Sequence, residues 1–193
     1  MTEFPVLSRD DAPEGSHDIM DMYTERFGFV PNLVSVMAQS PAALKGYATT
    51  YQLLGETDFT PAEQQLIFLA VSRANACHYC VAAHSMAGKM MGLDDLTIAA
   101  VRDGRPVLDA KLAAIVEFST KVVEKRGNVS PQDIETFTTA GHSQAQILEV
   151  LLGVATKTIS NYMNHLAQTP LDDAFAPMAW DADAAIVGMA ATG

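Results

Sequence analysis

Cys77-His78-Tyr79-Cys80, followed by His84, is the stretch whose residue types and spacing can do chemistry. These two cysteines are the only ones in the 193-residue chain. A bond between thiols three positions apart closes a tiny loop and removes little entropy from the unfolded chain, so the pair is not a structural staple. A secreted disulfide scaffold would also spread several cysteines along the sequence. What remains is reactivity or metal binding. At the start of a helix, unpaired N–H groups and the helix dipole favour negative charge, which helps a thiol lose its proton near neutral pH. The second thiol, one turn away, can attack a mixed disulfide or sulfenic acid formed on the first. His84 lies four residues beyond Cys80 on the same helical face, and an imidazole can accept the thiol proton directly or through a water.

Two other readings use the same residues. Cys77, Cys80 and His84 could hold zinc, but a structural site needs a fourth protein ligand, for which His165 is the only candidate with motif support. No metal is therefore expected. Inert buried cysteines are the blander alternative. His78 reads as a solvent-side residue and Tyr79 as packing ahead of acid catalysis. His17 and His142 fall in expected loops without pattern, and Met86, Met90 and Met91 read as core or interface filler.

The elements that must position the dithiol read as helices throughout, with no alternating strand. Residues 1–22, with Pro5, Pro13 and Gly15, read as an irregular N-terminal arm, 23–175 as one helical domain, and 176–193 as a C-terminal tail. Ser40-Pro41 opens a helix to about Leu54, and Thr60-Pro61-Ala62-Glu63 is a capping box with proline in the first turn. The dithiol begins a run from about Cys77 to Met91. Further helices are expected over 95–103, from Asp109 to about Arg126, from Ser130 to Gly141, and from the capping box at Ser143 to about Gln168. Thr60 to His84 and Ser143 to His165 echo each other weakly, Cys80 and His84 matching Asn161 and His165, which hints at a duplicated helical unit.

Composition narrows the function classes. The formal net charge of −11 repels nucleic acid and anionic lipid, and no basic stripe overrules it. Met1 to Met22 lacks a basic start and an apolar run, and no apolar stretch approaches the ~18–20 residues that span a bilayer. A cytoplasmic protein is expected, with no nucleic-acid or membrane partner. The mean hydropathy of +0.11 is high for a soluble monomer, which points to apolar surface buried between subunits of a homo-oligomer.

The run Ala70-Val71-Ser72-Arg73-Ala74-Asn75-Ala76-Cys77-His78-Tyr79-Cys80-Val81-Ala82-Ala83-His84 resembles the signature of the alkylhydroperoxidase D-like, carboxymuconolactone decarboxylase superfamily. Phe27-Gly28-Phe29-Val30-Pro31-Asn32 and Asn161-Tyr162-Met163-Asn164-His165 resemble its longer, peroxidase-related members, so the likeness runs from about residue 25 to 175. The resemblance implies an all-α, AhpD-like helical bundle built from a helical repeat and assembled as trimers or hexamers. It also implies a disulfide-cycling peroxidase that reduces an organic hydroperoxide or an oxidised thiol partner and is recharged by a lipoyl or thioredoxin-like dithiol. No bound cofactor is needed. Cys77 and Cys80 would do the redox work and His84 would help deprotonate the second cysteine, with Cys80 attacking and Cys77 resolving, although the opposite assignment stays open. Tyr79, Asn161 and His165 are candidate supporting positions. Where the family's proton relay has a glutamate, twelve residues before the first cysteine, this chain has Gln65, which can orient a partner but cannot carry a proton away. Glu63 lies on the wrong face of that helix. Lactone decarboxylation is not expected, because the decarboxylase members lack the dithiol.

Overall fold

In the computed structural model, which describes residues 4–181, the helix starts marked in the sequence carry their caps. Ser40 Oγ accepts from Ala43 N at the head of α3 (Pro41–Leu54). Thr60 and Glu63 close a reciprocal capping box on α4 (Pro61–Ala74). Asp94 caps α6 (Asp95–Asp103), Asp109 caps α7 (Ala110–Glu124), and boxes at Ser130 and Ser143 open α8 (Pro131–Thr139) and α9 (Gln144–Ala167). Each such cap satisfies backbone N–H groups that the helix cannot and stabilises it by about 1 kcal/mol. The remaining helices are α1 (His17–Phe27), α2 (Asn32–Met37) and α5 (His78–Met90), and no strand occurs among the described residues.

The core is organised around α4. Leu66, Ile67, Phe68, Leu69 and Val71 are all fully buried, so this helix is apolar on nearly every side and takes α5, α7 and α9 as neighbours. Each such side chain contributes about 1.5–3 kcal/mol by leaving water. Gly153 lets α9 approach closely, since a Cβ there would meet Ile67 Cγ2 at 2.6 Å. That approach sets the depth at which α9 presents its side chains to α5.

Two expectations need correction. The N-terminal arm is not irregular to residue 22: α1 begins at His17, with Met20 and Tyr23 buried against the α2–α3 region. Its anchors are non-local, with Ser16 Oγ donating to Ala38 O at 2.8 Å and Arg9 pairing with Asp21 through two hydrogen bonds. The C-terminal segment is ordered further than a tail, as residues 173–178 form a short 3-10 helix against α5, while residues 182–193 lie outside the described residues. The two echoing stretches also differ in form, since the first breaks into α4 and α5 at Asn75-Ala76 and the second runs unbroken as α9. Among the described residues, no helix is long and apolar enough to cross a membrane.

Candidate active site

The break between α4 and α5 places the dithiol. Asn75 ends α4, Ala76 takes the left-handed conformation at φ 52°, and Cys77 N donates to Ser72 O at 2.9 Å. A left-handed alanine costs about 1–2 kcal/mol and persists only where its surroundings hold it. Asn161 of α9 supplies that hold. Its Oδ1 accepts from Asn75 Nδ2 at 2.9 Å and its Nδ2 donates to Ser72 Oγ at 3.4 Å. Cys77 becomes the N-cap residue of α5, and Cys80 lies one turn inside it.

From α9, three polar residues at helical spacing, Lys157, Asn161 and Asn164, are buried toward the dithiol. Lys157 is fully buried, and its Nζ donates to Cys80 Sγ at 3.3 Å and to His84 Nε2 at 2.8 Å, while facing the Phe68 ring at 5.6 Å. Asn164 Nδ2 donates to Cys80 Sγ at 3.2 Å and reaches Cys77 Sγ at 3.6 Å. Burial alone would push the Cys80 thiol up. The Cys77 S–H, the Lys157 charge and hydrogen bond, and the Asn161 amide outweigh burial and hold Cys80 well below the ordinary thiol range. Cys77 moves the other way, because its hydrogen bond to Cys80 and its own burial both favour the neutral thiol. The buried pair therefore reads as a thiolate on Cys80 accepting a proton shared by Cys77.

His84 is placed differently from the sequence expectation. It does not bond Cys80; Lys157 Nζ lies between them. Its Nδ1 faces Gln65 Oε1 at 2.9 Å, and because that oxygen only accepts, the network assigns the hydrogen to Nδ1 and leaves Nε2 to accept from Lys157. Burial first, and the Lys157 charge second, hold the imidazole well below its ordinary proton affinity, so it is neutral. Gln65 Nε2 in turn donates to Tyr51 Oη at 3.4 Å. Glu63 is taken up by its capping box and by Lys111 at 3.2 Å.

The other candidates divide. Tyr79 is fixed by donating to Asp172, which also accepts from Asn32 N, and by accepting from Leu33 N at 3.3 Å; its hydroxyl is pushed up, first by burial and then by Asp172. It is a brace between α2, α5 and the segment after α9. His78 is exposed, with Nδ1 against Trp180 O at 2.9 Å. His165 is exposed and stacked on Tyr162, turned away from the dithiol. Among the described residues, no group of three or more His, Cys, Asp or Glu is arranged to hold a metal. Sequence reasoning missed Lys157, although a lysine on the buried stripe 150–153–157–160–164 of α9 was a readable anomaly.

Cys80, Lys157 and His84 open on a cavity of about 420 Å³. Its walls are mainly apolar and carry the aromatic rings of Tyr47, Tyr51, Tyr79 and Phe175, and Arg26, Phe27 and Met90, all exposed, also line it. A cavity of this size with few polar groups suits an apolar small molecule.

Known proteins place this architecture. The model of the Carboxymuconolactone decarboxylase family matches residues 41–115, which run from the head of α3 through the dithiol and His84 into α7. A peroxidase-related protein from Ralstonia eutropha JMP134, described as an alkylhydroperoxidase AhpD core, shares the fold with a TM-score of 0.81 at 23% identity, over 90% of this chain and 93% of its own. A peroxidase-related protein from Silicibacter sp. TM1040 does so with a TM-score of 0.77 at 20% identity, over 90% and 92%. The debrominase Bmp8 has the same fold at 15% identity, with a TM-score of 0.78 over 92% and 96%. At these identities the likeness to solved structures is one of fold. No curated protein matches the sequence. The family match thus covers the dithiol-bearing segment, residues 41–115, and the all-helical fold of these peroxidase-related proteins is shared over nine-tenths of the chain.

Proposed function

We propose that the protein is a thiol-dependent oxidoreductase that reduces an organic hydroperoxide by cycling Cys77 and Cys80 between dithiol and disulfide. The observation that carries this reading is the Cys80 sulfur, with Lys157 Nζ at 3.3 Å and Asn164 Nδ2 at 3.2 Å, at the wall of an apolar cavity. The Cys80 thiolate attacks the distal peroxide oxygen, forming an S–O bond and breaking the O–O bond. The departing alkoxide takes a proton from the Lys157 ammonium, which needs no carboxylate relay and accommodates Gln65. Cys77 then condenses with the Cys80 sulfenic acid to a disulfide, releasing water, and an external dithiol of the lipoyl or thioredoxin-like class restores both thiols. A cytoplasmic setting, which keeps thiols reduced, suits that cycle.

The test is peroxide consumption with cumene hydroperoxide and a dithiol donor. Continuous turnover that is lost in Cys80→Ser supports the proposal. Oxidation of both thiols by one equivalent of peroxide with no further consumption would instead indicate a redox sensor or thiol-disulfide adaptor. A second reading rests on the aromatic walls of the cavity, which would also seat a flat halogenated ring, as the shared fold with a debrominase suggests. Bromide release from a bromopyrrole in the presence of dithiol would favour it.

A homo-oligomer is part of the proposal. The outward face of α9 carries Leu148, Leu151, Ile159, Tyr162 and Leu166, exposed by 37–72%, at the spacing of a helix–helix seam.

A further inference from the structure

The same three groups, Cys80, Lys157 and His84, can do more than share a proton. We infer that Lys157 is a covalent participant, its amine condensing with oxidised Cys80 to form a sulfenamide, an S–N bond between Cys80 Sγ and Lys157 Nζ. This rests on the peroxidase reading of the site, since it requires a sulfenic acid on Cys80.

The geometry favours the lysine. Its Nζ lies 3.3 Å from Cys80 Sγ on a fully buried side chain, so the amine and the oxidised sulfur would be held together away from water. His84 Nε2, at 2.8 Å from the same nitrogen, is an acceptor that aligns the amine. Once Lys157 has protonated the departing alkoxide, it is a neutral amine beside an electrophilic sulfur. Cys77 is the alternative nucleophile; the hydrogen bond to the Cys80 thiolate that favours its neutral form is gone once Cys80 is oxidised, but its burial still favours the neutral thiol, which attacks sulfur slowly. Sulfenic acids are known to condense with nitrogen as well as with thiols.

The steps balance. Thiolate, hydroperoxide and ammonium give sulfenic acid, alcohol and amine. Sulfenic acid and amine give sulfenamide and water: the S–O bond breaks, the S–N bond forms, and one amine proton leaves with the hydroxide. The Cys77 thiol then attacks Cys80 Sγ, its proton passes to Lys157 nitrogen, and the S–N bond gives way to the disulfide. The sum is one dithiol and one hydroperoxide consumed, with one disulfide, one alcohol and one water formed. The lysine thereby shelters Cys80 from further oxidation until Cys77 reacts.

The experiment uses the full chain carrying Cys77→Ser, in which the bridge has no thiol to resolve it, treated with one equivalent of cumene hydroperoxide. The intact monomer should become about 2 Da lighter, its thiol should no longer alkylate, and dithiothreitol should restore both. Fragmentation should show the Cys80 peptide joined to the Lys157 peptide. Monomer about 16 or 32 Da heavier, trapped by dimedone or as the sulfinic acid, overturns the inference while leaving peroxide reduction standing. Unchanged mass with a fully alkylatable thiol overturns the peroxidase reading and the inference with it. Adding Lys157→Arg to Cys77→Ser keeps a cation beside the sulfur but cannot make this bond, and its product should gain oxygen; a lighter product there also overturns the inference.

Discussion

Replacing Lys157 by methionine tests the electrostatic heart of the site. Methionine occupies a similar volume without charge, so the packing against Phe68 is largely kept. At the 3.3 Å separation of Nζ and Cys80 Sγ, the charge–charge term is about 5 kcal/mol at an effective dielectric of about 20. The amide of Asn164 remains, and relaxation recovers part of the loss, so about 3 kcal/mol is the working figure. That corresponds to a rate of Cys80 alkylation or peroxide reaction at neutral pH about 100-fold lower, recovering as the pH is raised toward the ordinary thiol range. Stopped-flow alkylation by iodoacetamide in a Cys77→Ser background, with thiolate absorbance followed in parallel, reads this directly. Rates within about threefold of the parent at neutral pH would refute the assignment of Lys157 as the group that keeps Cys80 ionised.

Other consequences follow from the same contacts. His84 is held neutral, with its proton affinity well below the ordinary 6.5, so the unfolded chain binds a proton that the folded one does not. Its stabilising contribution is complete above that value and is lost as the pH falls below it, by up to about 1.4 kcal/mol per pH unit. Thermal melts should therefore fall more steeply on the acid side in the parent than in His84→Asn. Gln65→Glu places a carboxylate where Oε1 now meets Nδ1 at 2.9 Å, raises the proton affinity of His84, and should shrink that acid-side loss of melting temperature. Gly153→Ala forces a Cβ to within 2.6 Å of Ile67 Cγ2; chemical denaturation should show a loss of about 1–3 kcal/mol, with peroxide turnover falling as α9 moves from α5. Leu148→Glu with Leu166→Glu should convert the proposed homo-oligomer to monomer in light scattering, and an unchanged mass would remove α9 from the proposed interface.

Much of this molecule was legible before any fold was known, because its chemistry of local structure is local. Caps at Ser40, Thr60, Asp109, Ser130 and Ser143 act on N–H groups within three residues, so side-chain type alone marks where α3, α4, α7, α8 and α9 begin. The place of the dithiol at the head of α5 was readable for the same reason, and its three-residue spacing makes it useless as a staple. The helix α1 was hidden because its anchors, Ala38 and the α2–α3 region, are distant in sequence.

The site itself was decided elsewhere. His84 is four residues beyond Cys80, but helical spacing says nothing of the Lys157 amine that a third helix inserts between them. Lys157 lies 77 positions from Cys80, and only the close packing of α9 on α4, permitted by Gly153, brings its charge to the sulfur. The same packing turns Asn161 and Asn164 inward and leaves His165 outside, although all three occupy one helix. The sequence by itself determined which sulfurs could react. Tertiary structure decided that Cys80 is the one with Lys157 packed against it, and the ionisation of a buried thiol depends on the charge packed against it more than on its place in a helix.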